Sequence, residues 1–192
     1  MKEKNERKKW GLIIFIVFIM IGTSVSFVFI GFSPAAGKAE YNGISFASRG
    51  SIWVAKINGR EAAFSFLPND AESIPVPTDL FKKLQGKLEI DVTYDSNSTY
   101  RESIALAQHQ MGLVLAQYNV YVRKGFTANS TFNLPVIKCS DATLNVPVVY
   151  FRYGNETSIR DDGNCTIAEA NSNADFIRVK DRLLYGIFGV MK

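Results

Sequence analysis

One histidine and two cysteines are all that this chain of 192 residues holds of those two types, and the scarcity removes whole classes of chemistry. A Ser-His-Asp or Cys-His arrangement needs a histidine base, so His109 would have to serve. It falls opposite the main apolar stripe of its predicted helix, where a solvent-exposed side chain is the plain reading. No G-x-S-x-G elbow accompanies it. One histidine with two cysteines at these spacings fits no zinc pattern. There is no glycine-rich phosphate loop, no dinucleotide fingerprint, no internal repeat and no low-complexity tract. The sequence therefore assigns no catalytic, cofactor-binding or metal-ligating residue, and it leans away from an enzyme.

Positive charge is also scarcer than the total suggests. Residues 1–10 hold five Lys/Arg and two Glu, a net of +3, and the rest of the chain holds 17 and 16, a net of +1. The remainder is close to neutral, without the basic stripe that nucleic acid requires. Two acidic features read blandly as well. Glu89 and Asp91 point the same way from one predicted strand, which is most simply a solvated strand face. Asp161-Asp162-Gly163-Asn164 lacks the spaced ligands of a calcium loop and reads as a hairpin turn.

What is abundant is apolar length at the start. Residues 11–32 carry no charge over 22 positions, which at ~1.5 Å per residue matches the ~30 Å core of a bilayer. A helix is the state in which such a segment satisfies its own backbone in lipid. Lys2, Lys4, Arg7, Lys8 and Lys9 stand before it and would stay in the cytoplasm, placing the main domain outside the cell membrane. A cleaved signal peptide is the rival, and small residues at 33–39 would suit a peptidase. The length favours an uncleaved anchor in contact with the lipid bilayer. The expected organisation is a cytoplasmic tail at 1–10, a transmembrane helix at 11–32, a linker at 33–40, a β-meander at 41–86 and an exported domain at 87–192.

Two features suit an exported domain. Cys139 and Cys165 are an even pair 26 residues apart, which reads as one disulfide, with two buried thiols as the alternative. Asn97, Asn129, Asn155 and Asn164 each open an N-x-Ser/Thr sequon and are candidate glycosylation sites.

The periodicity predicts alternating strands at 44–46, 52–54 and 62–66, with Asn58-Gly59 turning one hairpin and Pro68 ending a three-stranded meander. A short helix follows at 78–85. From Lys87 the order is a strand at 88–94, a helix at 100–118 with Thr99 and Glu102 as a capping box, and a strand at 119–123. Then come an irregular stretch, a strand at 147–151, a hairpin around 161–164, and a helix at 173–191. That last helix turns Phe176, Val179, Leu183, Ile187 and Val190 inward.

That order, with Asn145-Val146-Pro147-Val148-Val149-Tyr150-Phe151, resembles the thioredoxin fold over residues 87–192. The fold class expected is thus α/β, a thioredoxin-like mixed sheet with flanking helices behind a meander and an anchor. The resemblance implies that Pro147 is cis. It also places Asn97-Ser98-Thr99-Tyr100 where that family keeps Cys-x-x-Cys, so no thiol stands at the usual place of attack. The segments 134–139 and 154–157, with Cys165, further resemble small archaeal membrane-anchored proteins that have no assigned activity. Two functions follow as expectations. The first is a non-catalytic binding or accessory module for a protein or envelope partner. The second is a membrane-anchored thiol–disulfide oxidoreductase using Cys139 and Cys165.

Overall fold

The computed structural model describes residues 37–192 and, before them, Trp10, Phe15 to Val17 and Ile19, which are helical. The expected tail, the span at 11–32 and residues 33–36 otherwise lie outside the described residues. No helix among the described residues is long and apolar enough to cross a membrane. Residues 37–192 form one compact unit.

That unit opens with four antiparallel strands in sequence order: β1 (Lys38–Tyr41), β2 (Ile44–Arg49), β3 (Ile52–Ile57) and β4 (Arg60–Phe64). Asn58-Gly59 turns β3 into β4 with both residues at positive φ, as its sequence predicts. Asn42-Gly43 does the same between β1 and β2. The meander therefore has four strands, not three, and its first strand occupies part of the expected linker. Pro68 does not merely end the meander. It opens a one-turn helix, α1 (Pro68–Ala71), and α2 (Leu80–Leu84) follows.

The second sheet comprises β5 (Glu89–Tyr94), β6 (Tyr121–Phe126), β7 (Val148–Tyr153), β8 (Ser158–Asp162) and β9 (Cys165–Ala170). Its order is β6-β5-β7-β9-β8, and only β8 runs antiparallel to its neighbour. Helices α3 (Arg101–Ala116) and α4 (Asn173–Ile187) complete the fold. The expected capping box at α3 is not formed, because Tyr100 takes the N-cap position without a side-chain bond. At α4 the cap is made, with Ser172 Oγ accepting from the Asp175 amide at 3.1 Å. Asn119, at φ 60°, delays β6 until Tyr121.

No described peptide bond is cis, so Pro147 is trans, against the expectation from the resemblance. The chain reaches β7 by another turn: the Thr143 amide donates to Val146 O, and the Val146 amide to Thr143 Oγ1, both at 3.0 Å. Pro147 O then accepts the Asp91 amide at 3.0 Å, which starts the β5–β7 ladder.

One core runs through the whole unit, from Phe46 and Phe64 of the meander to Ile90, Phe151, Phe176 and Leu183. Helix α4 sits at its centre, touching α1, α2, α3 and β9. Phe176, Val179 and Leu183 are buried as expected, but so are Lys180, Asp181, Arg182 and Tyr185. Tyr185 stacks on Phe64 at 4.3 Å and donates to Phe66 O at 2.6 Å. Asp181 accepts the Ser65 and Phe66 amides at 2.9 Å each and pairs with Lys180. Burial pushes the Asp181 carboxyl up, against the pull of Lys180 and the two amides. A second face of α4, made of charged residues, is therefore packed too.

The two faces of the larger sheet are covered differently. Side chains alternate, so Ile90, Val92, Val149, Phe151, Ala168 and Ala170 join the helix-side core. The other face takes the connection between β6 and β7, residues 127–147, laid across it as a strap. Ile137 of the strap packs on Val148, Cys165 and Ile167, and its carbonyl accepts Thr93 Oγ1 at 2.8 Å. Gly125 of β6 lies directly beneath. A Cβ there would stand 2.6 Å from Pro135 O and 2.7 Å from the Ile137 side chain. Gly125→Ala is therefore expected to lift the strap and cost about 1–3 kcal/mol. Urea unfolding measures it, and an unchanged midpoint would refute the contact.

Candidate functional site

The strap covers only part of its face. Cys139, in a short 3-10 turn (Cys139–Asp141), is joined to Cys165 of β9 by a disulfide with the Cα atoms 5.2 Å apart. This bridge was expected from the cysteine count. Cys165 is 1% exposed and Cys139 is half-buried.

Asp91 lies under the strap side of the sheet. The solvated-face reading fails for it: Asp91 is buried and held by Arg123 through two bonds, 2.8 Å from Nε and 2.5 Å from Nη2. The reason is topological. β5 sits in the middle of a sheet whose one face is covered by helices and whose other face carries the strap and the Arg123 side chain, so Asp91 leaves water, and a buried carboxylate then needs a paired cation. Glu89 stays half-exposed, 3.5 Å from the same guanidinium.

Past the strap, three strands present an uncovered row. Register aligns Arg152 of β7 with Glu169 of β9, and Glu169 with Ser158 of β8. The next row down aligns Tyr150, Ile167 and Arg160. Arg152 Nε donates to Glu169 Oε1 at 2.7 Å, and Arg160 Nη2 donates to the same oxygen. Glu169 is 8% exposed, whereas both arginines reach solvent. Arg152 also stands 6.0 Å from the Tyr150 ring centroid. Two cations on one carboxylate leave a surplus positive charge. The two terminal nitrogens of Arg152 have no partner among the described residues.

The rim of this face lies where the parallel strands end. From β5 the chain turns through α3 to β6 on one side, while β7 lies on the other. The strand order thus diverges between β5 and β7, the place where open α/β sheets form their crevices. A crevice of about 590 Å³ is found there, lined by Asp95, Asn97, Ser98, Tyr100, Arg152 and Tyr153, among others.

The other residues singled out from sequence are spread over the surface. Asn97, Asn129 and Asn155 are exposed, each just beyond a strand's carboxyl end, whereas Asn164 is half-buried at the opposite end, in the β8–β9 hairpin. His109 is exposed, with Nδ1 3.4 Å from Lys124 Nζ. Asp161 is taken by Lys83 Nζ at 2.6 Å, and Gly163 turns the hairpin at φ 65°. Among the described residues, no group of three or more His, Cys, Asp or Glu side chains is placed to hold a metal. Sequence reasoning missed the Arg152–Glu169–Arg160 row, because it exists only once three separate strands are paired.

Comparison with protein-family models, with curated proteins and with solved structures finds no match to this chain.

Proposed function

We propose that residues 37–192 are a non-catalytic binding module held at the outer face of a cell membrane by residues 11–32, with the N-terminus in the cytoplasm. Its contact surface is the pair of exposed arginines, Arg152 and Arg160, with the half-buried Tyr150 beside them. This reading rests on one observation: two solvent-reaching arginines and a tyrosine are set on rigid strands around a buried glutamate. Arginine and tyrosine dominate binding hot spots, and anchors fixed in advance lose little entropy on contact. The surplus positive charge suits a protein partner that presents a carboxylate.

The finer reading of residues 87–192 as thioredoxin-like rests on the order of elements. Kinship with small archaeal membrane-anchored proteins rests on the matching segments around 134–139 and 154–157. The burial of Cys165 supports a staple over a redox-active pair.

Arg152→Glu with Arg160→Glu, in the full chain, tests the surface. Capture of a specific protein from native membranes, compared at a temperature where circular dichroism shows both chains folded, is expected to fall at least about tenfold; thermal stability is expected to fall as well, because the reversal leaves the buried Glu169 facing two carboxylates. Equal capture by the charge-reversed chain, or no specific protein captured by the wild type, defeats the proposal.

A further inference from the structure

The rim beside the crevice holds a second arrangement, on the helix side of the sheet, one residue beyond Arg152. Tyr153 ends β7 and is 56% exposed. One side of that ring stacks on Tyr100, the centroids 5.7 Å apart and the planes 8° apart. Tyr100 is itself fixed: its hydroxyl donates to Asn171 O at 3.0 Å, and its ring leans on the buried Phe176 at 5.6 Å. Tyr153 is thus a flat apolar surface, backed by the core and open on its far side. Two residues on is Asn155, which is exposed and opens the sequon Asn155-Glu156-Thr157.

The link between Tyr153 and Asn155 is rigid. The Gly154 amide donates to Ala170 O at 3.1 Å, and Asn171 Nδ2 donates to Asn155 O at 3.2 Å. A Cβ on Gly154 would meet the Glu169 side chain at 3.0 Å, so the turn is pressed against β9. The other sequons lack this geometry. The residue two before Asn97 is Asp95, two before Asn129 is Thr127, and two before Asn164 is Asp162. Asn164 is further closed off, because Thr166 is 2% exposed and Cys165 is bridged.

We propose that Asn155 carries an N-linked sugar whose first ring lies on the open face of Tyr153. The C–H face of a pyranose is apolar and packs on an aromatic ring, which holds the sugar where it is attached. In the modification, Asn155 Nδ2 attacks the anomeric carbon of a lipid-phosphate-linked sugar donor. The new C–N bond forms as the anomeric C–O bond breaks. The lipid phosphate leaves with the electron pair, and the amide proton passes to a base of the transferase. The inference rests on the exported placement proposed above, which is read separately by protease access in closed vesicles.

The test uses the full chain recovered from its own membranes. Peptide mass mapping is expected to find sugar on Asn155 in most molecules and none on Asn164. Asn155→Gln is expected to lower the melting temperature by about 2–4 °C, near 1 kcal/mol for a chain of this size. Made in a Tyr153→Ala background, the same change is expected to move it by less than about 1 °C, since the two groups act together. A bare Asn155, whether or not Asn97 or Asn129 is modified, overturns the site. An equal drop in both backgrounds overturns the stacking on Tyr153.

Discussion

Asp181→Ala is expected to cost about 3–5 kcal/mol of folding stability, the range for breaking a buried ion pair from one side. Three groups depend on that carboxylate. Lys180 is 1% exposed and would be left as an unpaired buried cation. The Ser65 and Phe66 amides would lose their acceptor as the chain leaves β4. Thermal and urea unfolding of the full chain, followed by circular dichroism, measures the loss. A companion variant separates charge from packing. Asp181→Asn with Lys180→Met removes both charges and keeps an oxygen for the amides. It is expected to recover at least about half of the loss, because neutral replacement of a buried pair is far cheaper than orphaning one member. A single variant within about 1 kcal/mol of wild type would mean that the network contributes little.

Replacing both cysteines, Cys139→Ala with Cys165→Ala, is expected to cost about 2–5 kcal/mol. The bridge closes a loop across a sequence separation of 26 residues, and it also fixes the strap to β9. Limited proteolysis within residues 127–147 should therefore speed up more than cleavage elsewhere. Titration in thiol/disulfide buffers gives an independent reading. A staple resists reduction until below about −300 mV, whereas opening near about −200 mV would bring the oxidoreductase reading to the front.

The turns and the apolar periodicity were legible in the sequence, since both are local. Asn58-Gly59 announced its hairpin through residues that tolerate positive φ, and α4 showed Phe176, Val179 and Leu183 at helical spacing. Asn42-Gly43 carries the same signal, but the strand before it has only four residues, too few for its alternation to stand out. Burial of charge was not legible. Asp91 alternates with Glu89 like a solvated strand face, and Asp181 stands between two cations on its helix; the layers over both faces of β5 and the several neighbours of α4 bury them. The arginine row was hidden for a related reason. Arg152, Arg160 and Glu169 lie on three strands, and β9 inserts between β7 and β8, against sequence order. The disulfide was readable as a count, but the strap it fastens was not.

The boundary at residues 86 and 87 separates two patterns of sequence but not two heritable parts. Tyr118 reaches from the end of α3 to the carbonyls of Ile57 and Arg60, at 3.0 and 3.1 Å. Asn42 Nδ2 reaches Val190 O at 3.1 Å, and Phe64 stacks on Tyr185. A gene cut at that point would yield one fragment with half a core and another with a stranded Lys180–Asp181 pair. Recombination that shuffles such segments must therefore carry the meander and the parallel sheet together, as a single cassette.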